Sequence, residues 1–280
     1  MSDNIGTIIM KKRKQLGYTQ QKIADCLNVS FQAVSKWENG MAYPDISLLP
    51  QLAHILGTTT DTLLGYSAAP VTDYEKRYGN EAYYWGLQPN ELCYEIMKIK
   101  PPVKPYRVLE IGCGEGKDAV FLAKNGYLVT AFDAAQTGID KARSLAKRHG
   151  VQIDFFQADV LDYRPDTSFD IVFSSGVLHY IPRKLRGEVI SSLKEHTTAG
   201  GIHAVNVFVD KPFIDPAPDR EPIEVERGSW RSGELQGLYH DWLFHAGDEI
   251  IFDCDSGGVP HQHCMDILIA EKMDVKPGRV

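Results

Sequence analysis

The sequence predicts two folded parts, a small all-α domain at residues 1–66 and a larger α/β domain at residues 74–280, joined by a linker at residues 67–73. The first part reads as a series of short amphipathic helices. The second part alternates apolar, β-branched runs with helical patterns, the order of elements that builds a mostly parallel sheet. The linker is proline-broken and nearly uncharged, as segments between domains commonly are.

Composition limits the class of protein. The 280 residues are 43% hydrophobic and 24% charged, which is typical of globular proteins. No apolar run approaches the roughly 18 residues that a membrane span needs, so we expect no membrane partner. The five cysteines are scattered and include no C-x-x-C pair, so we expect a cytoplasmic protein with reduced thiols, without zinc or a disulfide framework.

Charge is distributed unevenly along the chain. Residues 1–66 carry six Lys/Arg and five Asp/Glu, a net charge of +1. The remaining residues carry a net charge of −8, which gives −7 for the whole chain. An acidic domain repels phosphate backbones, so any contact with nucleic acid is expected in the N-terminal part.

A glycine-rich turn organises the larger part. Residues 107–111 form an apolar run typical of a buried parallel strand, and Gly112, Gly114 and Gly116 follow at alternate positions. A helical pattern over residues 117–124 comes next. Strand, glycine turn and helix bring backbone N–H groups close to a nucleotide. The glycines alone would also fit a dinucleotide site or a structural turn.

Acidic residues accompany this turn. Glu110 precedes it, and Asp133 ends the next apolar run, about 20 residues on, where a carboxylate can accept hydrogen bonds from both ribose hydroxyls. Another acid, Asp159, follows the predicted third strand beside Val160, with Asp162 as a less favoured substitute.

The motif E-x-G-C-G-x-G followed by an acid resembles the first two motifs of the class I S-adenosylmethionine-dependent methyltransferases. The resemblance implies a Rossmann-like α/β domain with a seven-stranded sheet, whose last two strands form an antiparallel hairpin, and S-adenosyl-L-methionine as cofactor. It also implies that Asp159 takes the adenine amine and that Val160 borders the ring. The implied cofactor-binding residues are Glu110, Gly112, Cys113, Gly114, Gly116, Asp133, Ala134, Asp159, Val160, Ser174, Ser175, Tyr84 and Trp85. A degenerate site that no longer binds is the alternative.

Further elements are expected in the order that this fold requires. The sequence predicts helices over residues 136–149 and 182–196, and an exit turn at Gly200–Gly201 after the second of them. Strands are predicted at residues 127–133, 151–156, 169–174, 202–209, 249–253 and 265–270.

Two segments outside the sheet are candidates for covering the site. The run Tyr83-Tyr84-Trp85-Gly86 lies in an aromatic helical segment before the first strand, and residues 211–247 form an insertion before the last two strands. The insertion contains Ser232-Gly233-Glu234-Leu235 and Tyr239-His240-Asp241-Trp242. With Tyr83-Tyr84-Trp85-Gly86 and Gly200-Gly201-Ile202, these runs resemble the TehB-like branch, the tellurite-resistance methyltransferases, over residues 74–273. The resemblance implies a small methyl acceptor such as tellurite, selenite or a thiol-like molecule.

Methyl transfer from a sulfonium needs positioning more than acid–base chemistry, because the cofactor carries its own leaving group. His179 and Arg183 follow the fourth strand, at the sheet edge where ligands of open α/β sheets bind, and are our candidates for catalytic residues. Arg227, Arg231 and His240 are further candidates for holding an anionic acceptor. The alternative for each is an ordinary surface role.

The run His261-Gln262-His263-Cys264 raises the question of a metal. Alternation along a strand places His261 and His263 on one face and Cys264 on the other. Because class I methyl transfer needs no metal, we predict none here and expect an acceptor contact or plain hairpin structure.

The N-terminal part is predicted to contain helices over residues 5–16, 20–27, 31–38, 46–56 and 60–64. Thr19 and Ser30 are expected to cap the second and third helices, and Asn39-Gly40 to close the third. The text from Thr19 to Gly40 resembles the XRE/phage-repressor helix-turn-helix family.

This second resemblance implies that residues 30–38 form a recognition helix that reads double-stranded DNA. It implies that Gln20 holds a phosphate and that Arg13 pairs with Glu38 in a structural role. The implied DNA-binding residues are Gln20, Phe31, Gln32, Ser35 and Lys36. One such module makes few base contacts, so we expect a homodimer on a palindromic site.

The sequence therefore favours a small-molecule methyltransferase fused to a sequence-specific DNA-binding domain. One alternative is a transcriptional regulator whose second domain senses S-adenosyl-L-methionine or another ligand without turnover. Another is an enzyme whose N-terminal helical domain has lost DNA binding and serves only to form a dimer. The chain lacks both the D/N/S-P-P-Y/F run and the Pro-Cys nucleophile, so we predict that it does not methylate DNA bases.

Overall fold

The computed structural model describes residues 4–58, 60–64, 73–215, 228–254 and 260–274. Contacts between Cα atoms divide the chain into two compact units, residues 1–69 and 70–280. All of the predicted linker except Asp73 lies outside the described residues. Within the described ranges, no helix is both long enough and apolar enough to cross a membrane.

The N-terminal unit is built from short helices separated by capped turns. The Thr19 hydroxyl accepts from the Lys22 N–H at 3.0 Å, and the Ser30 hydroxyl accepts from the Ala33 N–H at 3.2 Å, which confirms both predicted caps. Asn28 joins these two helices in the left-handed region, at φ 54°. The helices are α1 (Ile5–Gln15), α2 (Gln20–Leu27), α3 (Phe31–Glu38), α4 (Leu49–Ile55) and α5 (Thr60–Leu63).

The predicted fourth helix begins later than expected. Residues Ile46–Leu48 form a 3₁₀ turn, because the Asp45 carboxylate accepts from both the N–H and the hydroxyl of Ser47 at 2.8 and 2.6 Å. Pro50 then occupies the first turn of α4, where its missing N–H costs nothing.

A single hydrophobic core holds these helices together. Ile9, Ile23, Val34, Leu52 and Leu63 come from five different helices and are all fully buried. The 3.6-residue periodicity that predicts the helices is therefore also the pattern that fills this core.

The C-terminal unit contains one seven-stranded sheet in the order β3-β2-β1-β4-β5-β7-β6. The first five strands pair in parallel, and β7 runs antiparallel to both β5 and β6, which confirms the predicted hairpin. The strands are β1 (Arg107–Ile111), β2 (Leu128–Asp133), β3 (Asp154–Gln157), β4 (Phe169–Ser174), β5 (Thr197–Val209), β6 (Leu243–Cys254) and β7 (His261–Glu271).

Helices cover both faces of this sheet. Val108 and Leu109 are neighbours on β1 yet belong to different core clusters, because successive strand residues point to opposite faces. One cluster includes residues of α7, α8 and α9, and the other includes residues of α10 and α11. The helices are α6 (Asp73–Tyr78), α7 (Glu91–Ile99), α8 (Lys117–Lys124), α9 (Gln136–His149), α10 (Arg183–Glu195) and α11 (Glu234–Gly237).

Several strand boundaries differ from the sequence prediction. Strand β3 begins at Asp154, because it pairs only with the last four residues of β2. Strands β6 and β7 are longer than predicted, since their residues pair across the hairpin even where the side chains are polar, except at a register shift between Phe244 and Ala246. The prediction that Gly200–Gly201 form a helix exit turn is wrong. They lie within β5, where the pairing with β4 shifts register, and Gly200 has φ 72°.

Gly116 ends the glycine turn at a point of close packing. Its φ is 83°, and a Cβ there would lie 2.6 Å from the Ala142 Cβ on α9. We expect Gly116→Ala to lower the free energy of unfolding of this unit by about 2 kcal/mol or more, from left-handed strain and overpacking. Chemical denaturation of the full chain, followed by hydrogen exchange in peptides of the α/β unit, measures the change.

The matched control is Gly187→Ala on α10. A Cβ at Gly187 meets nothing within 4 Å and its φ lies outside the left-handed range, so alanine should stabilise the helix by about 0.5–1 kcal/mol. Equal effects of the two substitutions would contradict the packing role of Gly116.

Candidate functional site

The glycine turn leaves β1 and folds back over the end of β2. The N–H groups of Gly112 and Cys113 both donate to the Phe132 carbonyl, at 2.8 and 2.9 Å. Gly112 and Gly114 have φ values of 72° and 51°, a backbone region that L side chains rarely adopt. A side chain at Gly112 would overlap Val177. The turn is therefore a cradle that only glycine can form.

Asp133 is fixed at the end of β2 by this turn. Its Oδ2 accepts from the Gly114 N–H and its Oδ1 from the Ala135 N–H, both at 2.8 Å. Burial raises the pKa of Asp133 to about 6, although the two backbone hydrogen bonds oppose that rise and the charge of Glu75 adds to it. Each oxygen keeps a further lone pair for a ligand hydroxyl.

This pKa predicts an acid limit for ligand binding. If ribose hydroxyls bind the ionised Asp133, affinity is full well above pH 6 and falls as pH drops through about 6, where the free carboxylate takes a proton. We expect the Kd for S-adenosylhomocysteine to be about tenfold higher at about pH 5 than at about pH 7.5. Calorimetric titration at a series of pH values measures it. Asp133→Asn should bind weakly with no such step, and a step that persists in this variant would contradict the assignment.

Glu110 lies beneath the turn, on β1. Its side chain is 2% exposed, and its Oε2 has no hydrogen-bond partner among the described residues. Burial raises the pKa of Glu110 well above its ordinary value, and the nearby Asp118 adds to the rise while Lys117 opposes it. A buried carboxyl oxygen without a partner is an acceptor that a ligand cation can satisfy.

Asp159 and Val160 follow β3, beside the end of β2. The Asp159 Oδ1 accepts from the Leu161 N–H at 2.9 Å, which fixes the carboxylate within its own turn. The Ala158 N–H donates to the Asp133 carbonyl at 3.0 Å, so the two acidic residues lie at adjoining strand ends and line the same cavity. Val160 is 8% exposed and gives this wall an apolar surface.

The segment before β1 covers the glycine turn. Glu75 on α6 accepts from the N–H groups of Gln136 and Thr137 and from the Thr137 hydroxyl, so it caps the first turn of α9. This contact holds Tyr78 against the turn, where a Cβ at Gly114 would lie 2.9 Å from the Tyr78 hydroxyl.

Of the predicted aromatic run Tyr83-Tyr84-Trp85, Trp85 alone lines the cavity. Trp85 lines the cavity with Tyr74, whose ring centroid lies 6.4 Å from that of Trp85. Tyr84 supports Trp85 edge-on at 4.8 Å but is not among the lining residues. Tyr83 lies under the Lys141 ammonium, 4.8 Å from ring centroid to nitrogen, and is not a lining residue either.

Strand β4 ends in two serines with different roles. Ser174 is fully buried, and its hydroxyl donates to the Ile111 carbonyl at 3.1 Å, so it joins two strands rather than facing a ligand. The Ser175 hydroxyl accepts from the side-chain amides of Asn90 and Asn206 at 2.9 and 3.0 Å. These three residues form a polar network in the cavity wall.

One cavity of 1530 Å³ contains most of the predicted site. It exceeds the roughly 300–1,000 Å³ of ordinary small-molecule sites, so it has room for an acceptor beside a cofactor. The predicted residues that line it are Gly112, Cys113, Gly114, Asp133, Ala134, Asp159, Val160, Ser175, Trp85 and His179. Those that do not are Glu110, Gly116, Ser174, Tyr84 and Arg183.

Of the two candidate catalytic residues, His179 lines the cavity and Arg183 does not. His179 lies in the cavity wall, with its ring 4.1 Å from that of Tyr180 and 4.7 Å from that of Phe208, between centroids. Arg183, at the start of α10, is half exposed and its Nη2 lies 3.7 Å from Glu234. The structure therefore does not bring Arg183 to the cavity, because its charge is drawn to the insertion.

The other proposed anion-binding residues also lie away from the described cavity wall. His240 Nδ1 lies 3.0 Å from the Gly237 carbonyl, and Arg231 is exposed beside Glu234. Arg227 lies outside the described residues.

Sequence reasoning missed several lining residues. Two of them lie on the aromatic segment α6, and Lys117 directly follows the glycine motif, but neither signal shows that the side chain reaches the cavity. They are Tyr74, Tyr78, Asn90, Lys117, Asn206 and Phe208.

The N-terminal unit contains a second candidate site on α3. Phe31, Gln32 and Lys36 are exposed along this helix, whereas Val34 and Trp37 pack into the core, as the helical spacing predicts. Ser35 is half-buried and its carbonyl accepts from the Asn39 side chain at 2.9 Å.

Gln20 is held differently from the prediction. Its Nε2 donates to the Glu38 Oε2 at 2.7 Å, so the amide faces a buried carboxylate rather than a solvent-side phosphate. Arg13 binds the same carboxylate through Nε and Nη2 at 2.6 and 2.8 Å, which confirms the predicted Arg13–Glu38 pair. Burial alone would raise the pKa of Glu38, but the hydrogen bonds from Arg13 and Gln20 outweigh it and hold that pKa below its ordinary value.

Comparisons with known proteins find relatives of both units. A family model described as a methyltransferase domain matches residues 108–201, and one described as helix-turn-helix matches residues 9–63. A ubiquinone biosynthesis O-methyltransferase of Rickettsia felis is 33% identical, with 65% of this chain and 86% of that enzyme covered. The probable S-adenosyl-L-methionine-dependent methyltransferase TehB of Haemophilus influenzae is 24% identical over 70% of this chain, which spans 64% of that relative's length.

Solved structures share the fold. The TehB structure from Haemophilus influenzae superposes with a TM-score of 0.58 at 22% identity, covering 71% of this chain and 65% of that one. A putative methyltransferase from Bacillus halodurans gives 0.52 at 15% identity, covering 66% of this chain and all of the other.

The seven-stranded sheet, the glycine cradle and the acidic strand ends define a class I methyltransferase domain. The chain belongs to the S-adenosyl-L-methionine-dependent methyltransferases and carries a helix-turn-helix domain of XRE type at its N-terminus. The residues present fit this family's cofactor, because the cradle excludes side chains and the buried Glu110 oxygen is an acceptor placed beneath it.

Proposed function

We propose that residues 74–280 transfer a methyl group from S-adenosyl-L-methionine to a small acceptor, and that residues 1–66 bind double-stranded DNA. The observation that carries the enzymatic part is a single cavity lined at one end by Gly114, Asp133 and Asp159 and elsewhere by His179 and Phe208. It can hold two ligands side by side, which an in-line displacement requires.

In this proposal, the chain's own residues hold the cofactor at the end of the cavity lined by Gly114, Asp133 and Asp159. Asp133 accepts hydrogen bonds from the ribose hydroxyls and Asp159 accepts from the adenine amine. Glu110 lies behind the cavity wall, where its Oε2 is an acceptor on the side of the methionine ammonium. When bound, S-adenosyl-L-methionine supplies the methyl group and its own sulfur leaving group. Tyr78 and Trp85 cover this end and reduce its access to water.

We propose that the acceptor is a soft, electron-rich molecule that binds at the end of the cavity lined by His179 and Phe208, the acceptor end. Tellurite, selenite or a thiolate arrives with a lone pair available, so no general base is required. His179 then positions the acceptor, since it is buried between Tyr180 and Phe208 and therefore has little freedom to move.

Turnover tests this proposal directly. The full chain is incubated with S-adenosyl-L-methionine and either tellurite, selenite or small thiols, and S-adenosylhomocysteine is measured by mass spectrometry. We expect product above the acceptor-free control with at least one acceptor, and little with Asp133→Asn. Cofactor binding by calorimetry without any turnover would favour a ligand-sensing regulator instead, and no binding at all would overturn the cofactor assignment.

The DNA-binding proposal rests on the exposed face of α3. Glutamine side chains read adenine edges through paired hydrogen bonds, so we expect Gln32→Ala to weaken binding to an oligonucleotide selected by the full chain by roughly 1–3 kcal/mol, about 5- to 150-fold. Fluorescence anisotropy at fixed salt measures this loss.

Gln51→Ala is the matched control for this substitution. Gln51 is an exposed glutamine on α4 that donates to the Cys26 carbonyl at 3.1 Å. Its replacement should leave affinity nearly unchanged. Failure to enrich any oligonucleotide would contradict the DNA-binding role. A palindromic consensus with two chains bound would support the homodimer that we propose.

A further inference from the structure

The free end of the β6–β7 hairpin collects three side chains that ligate metals. Cys254 on β6 is paired directly across from His261 on β7, and directly opposed residues project to the same face of a sheet. His263 lies two residues further along β7 and projects to that face as well. The cluster is thus fixed by strand register, with ligands from both strands.

The ligand atoms are close together. The Nε2 atoms of His261 and His263 lie 2.9 Å apart, and the two ring planes are inclined at 81°. One ligand atom from each of Cys254, His261 and His263 lies within 4.8 Å of the others. In a tetrahedral zinc site, the nitrogen–nitrogen separation is about 3.3 Å and the sulfur–nitrogen separation about 3.5 Å, from zinc bonds of about 2.0–2.3 Å. Side-chain rotations that move the ligand atoms by about an ångström therefore suffice to reach that geometry.

The donor set selects the class of metal. One thiolate and two imidazoles suit borderline-to-soft transition ions such as Zn²⁺, whereas Mg²⁺ and Ca²⁺ prefer oxygen ligands. All three side chains are half-buried, so an ion can enter from solvent and yet be partly shielded. On binding, the Cys254 thiol would lose its proton to solvent, and the imidazole that donates the hydrogen bond would change tautomer so that both Nε2 lone pairs face the ion.

We propose that Cys254, His261 and His263 form a binding site for a borderline-to-soft divalent transition metal, with Zn²⁺ as the representative ion. Three protein ligands leave a fourth tetrahedral position open, as in zinc sites that also bind water or substrate. The site is independent of the cofactor residues, so it stands whether or not methyl transfer occurs.

The site borders the cavity described above. Cys254 and His263 both line it, and the His263 ring lies 4.7 Å from the Phe208 ring, between centroids. Phe208 in turn lies 4.7 Å from His179. A bound ion therefore places positive charge in the wall of the acceptor end. If the proposed methyl transfer holds, the open position is suited to an anionic sulfur or selenium acceptor.

Cobalt substitution tests the site, because Co²⁺ bound to a thiolate gives a near-ultraviolet charge-transfer absorption. The full chain, without a histidine tag and kept reduced with a phosphine, is titrated with Co²⁺ and then with Zn²⁺. We expect a charge-transfer band that saturates near one equivalent and is abolished by Zn²⁺. Cys254→Ser should remove the band, and His263→Asn should raise the Co²⁺ dissociation constant more than about tenfold.

Matched controls separate this site from other thiols and imidazoles. Cys264 lies on the opposite face of β7 and is 2% exposed, and His245 lies on β6 with its ring 2.7 Å from Glu271. Cys264→Ala and His245→Asn should keep the band and the affinity. Absence of a band in the unmodified chain, its persistence in Cys254→Ser, or equal loss in the controls would overturn the proposal. Thermal melts without metal show which variants are folded, and His263→Asn tests the site if Cys254→Ser is not.

Discussion

Asp133→Asn is expected to weaken S-adenosylhomocysteine binding by about a hundredfold or more, because two charge-assisted hydrogen bonds of about 1.5–3 kcal/mol each are at stake. Both oxygens of this carboxylate already accept backbone N–H groups. An asparagine must therefore turn its NH₂ group toward one of those donors, which also loosens the glycine turn. Isothermal titration of the full chain measures the change in Kd.

Asp162→Asn is the matched control for this experiment. Asp162 is an exposed aspartate in the segment after β3 and is not among the cavity-lining residues. In the sequence analysis it is the less favoured candidate for the role of Asp159. Its replacement should leave the Kd within about twofold. A similar loss in both variants would mean that net charge, rather than the hydrogen bonds of Asp133, governs binding.

Arg13→Ala should lower the free energy of unfolding of the N-terminal unit by about 3–5 kcal/mol, because it leaves the Glu38 charge buried without its main partner. The two side chains are 11% and 2% exposed and form a bidentate pair. Hydrogen exchange in peptides from this unit of the full chain measures the loss.

The pH dependence gives an independent check of the same pair. Because the pKa of Glu38 is lower in the folded unit than in the unfolded chain, the stabilisation is present above the ordinary glutamate pKa and is lost as pH falls through the lower, folded value. Arg13→Ala should reduce this acid sensitivity. Lys12→Ala, one residue away on α1, should change stability little, and an equal effect would contradict the special role of Arg13.

The sheet and most of its helices could be predicted from the sequence, because burial on both faces of parallel strands and on one face of each helix produces strong periodic patterns. The glycine cradle and Asp133 were predictable for a related reason. Their positions follow from backbone geometry at one strand end, which a short motif specifies.

The remaining features depend on distances between segments that the sequence does not reveal. Arg183 follows the correct strand, yet its charge is drawn toward Glu234 from an insertion some fifty residues later. Gln20 reaches Glu38 across the helix-turn-helix core. Neither partner can be inferred from the local sequence pattern, because a long polar side chain can form ion pairs or hydrogen bonds of similar energy with several different neighbours.

The cluster at residues 254, 261 and 263 illustrates the same limit. The sequence places the two histidines on one face, but only the register of β6 against β7 adds Cys254 to them. The prediction of no metal rested on the cofactor's chemistry, which has no bearing on what the hairpin itself can bind.

The antiparallel direction of β7 has an evolutionary consequence. Since β7 runs opposite to β5, its first residues lie beside the last residues of β5, and the end of β6 lies beside them in turn, at the edge where the parallel strands end. In the proposed reaction, this hairpin therefore supplies wall residues to the cavity that come much later in the chain than the glycine turn and Asp133. The hairpin can therefore vary in sequence without changing the residues that we propose hold the methyl donor.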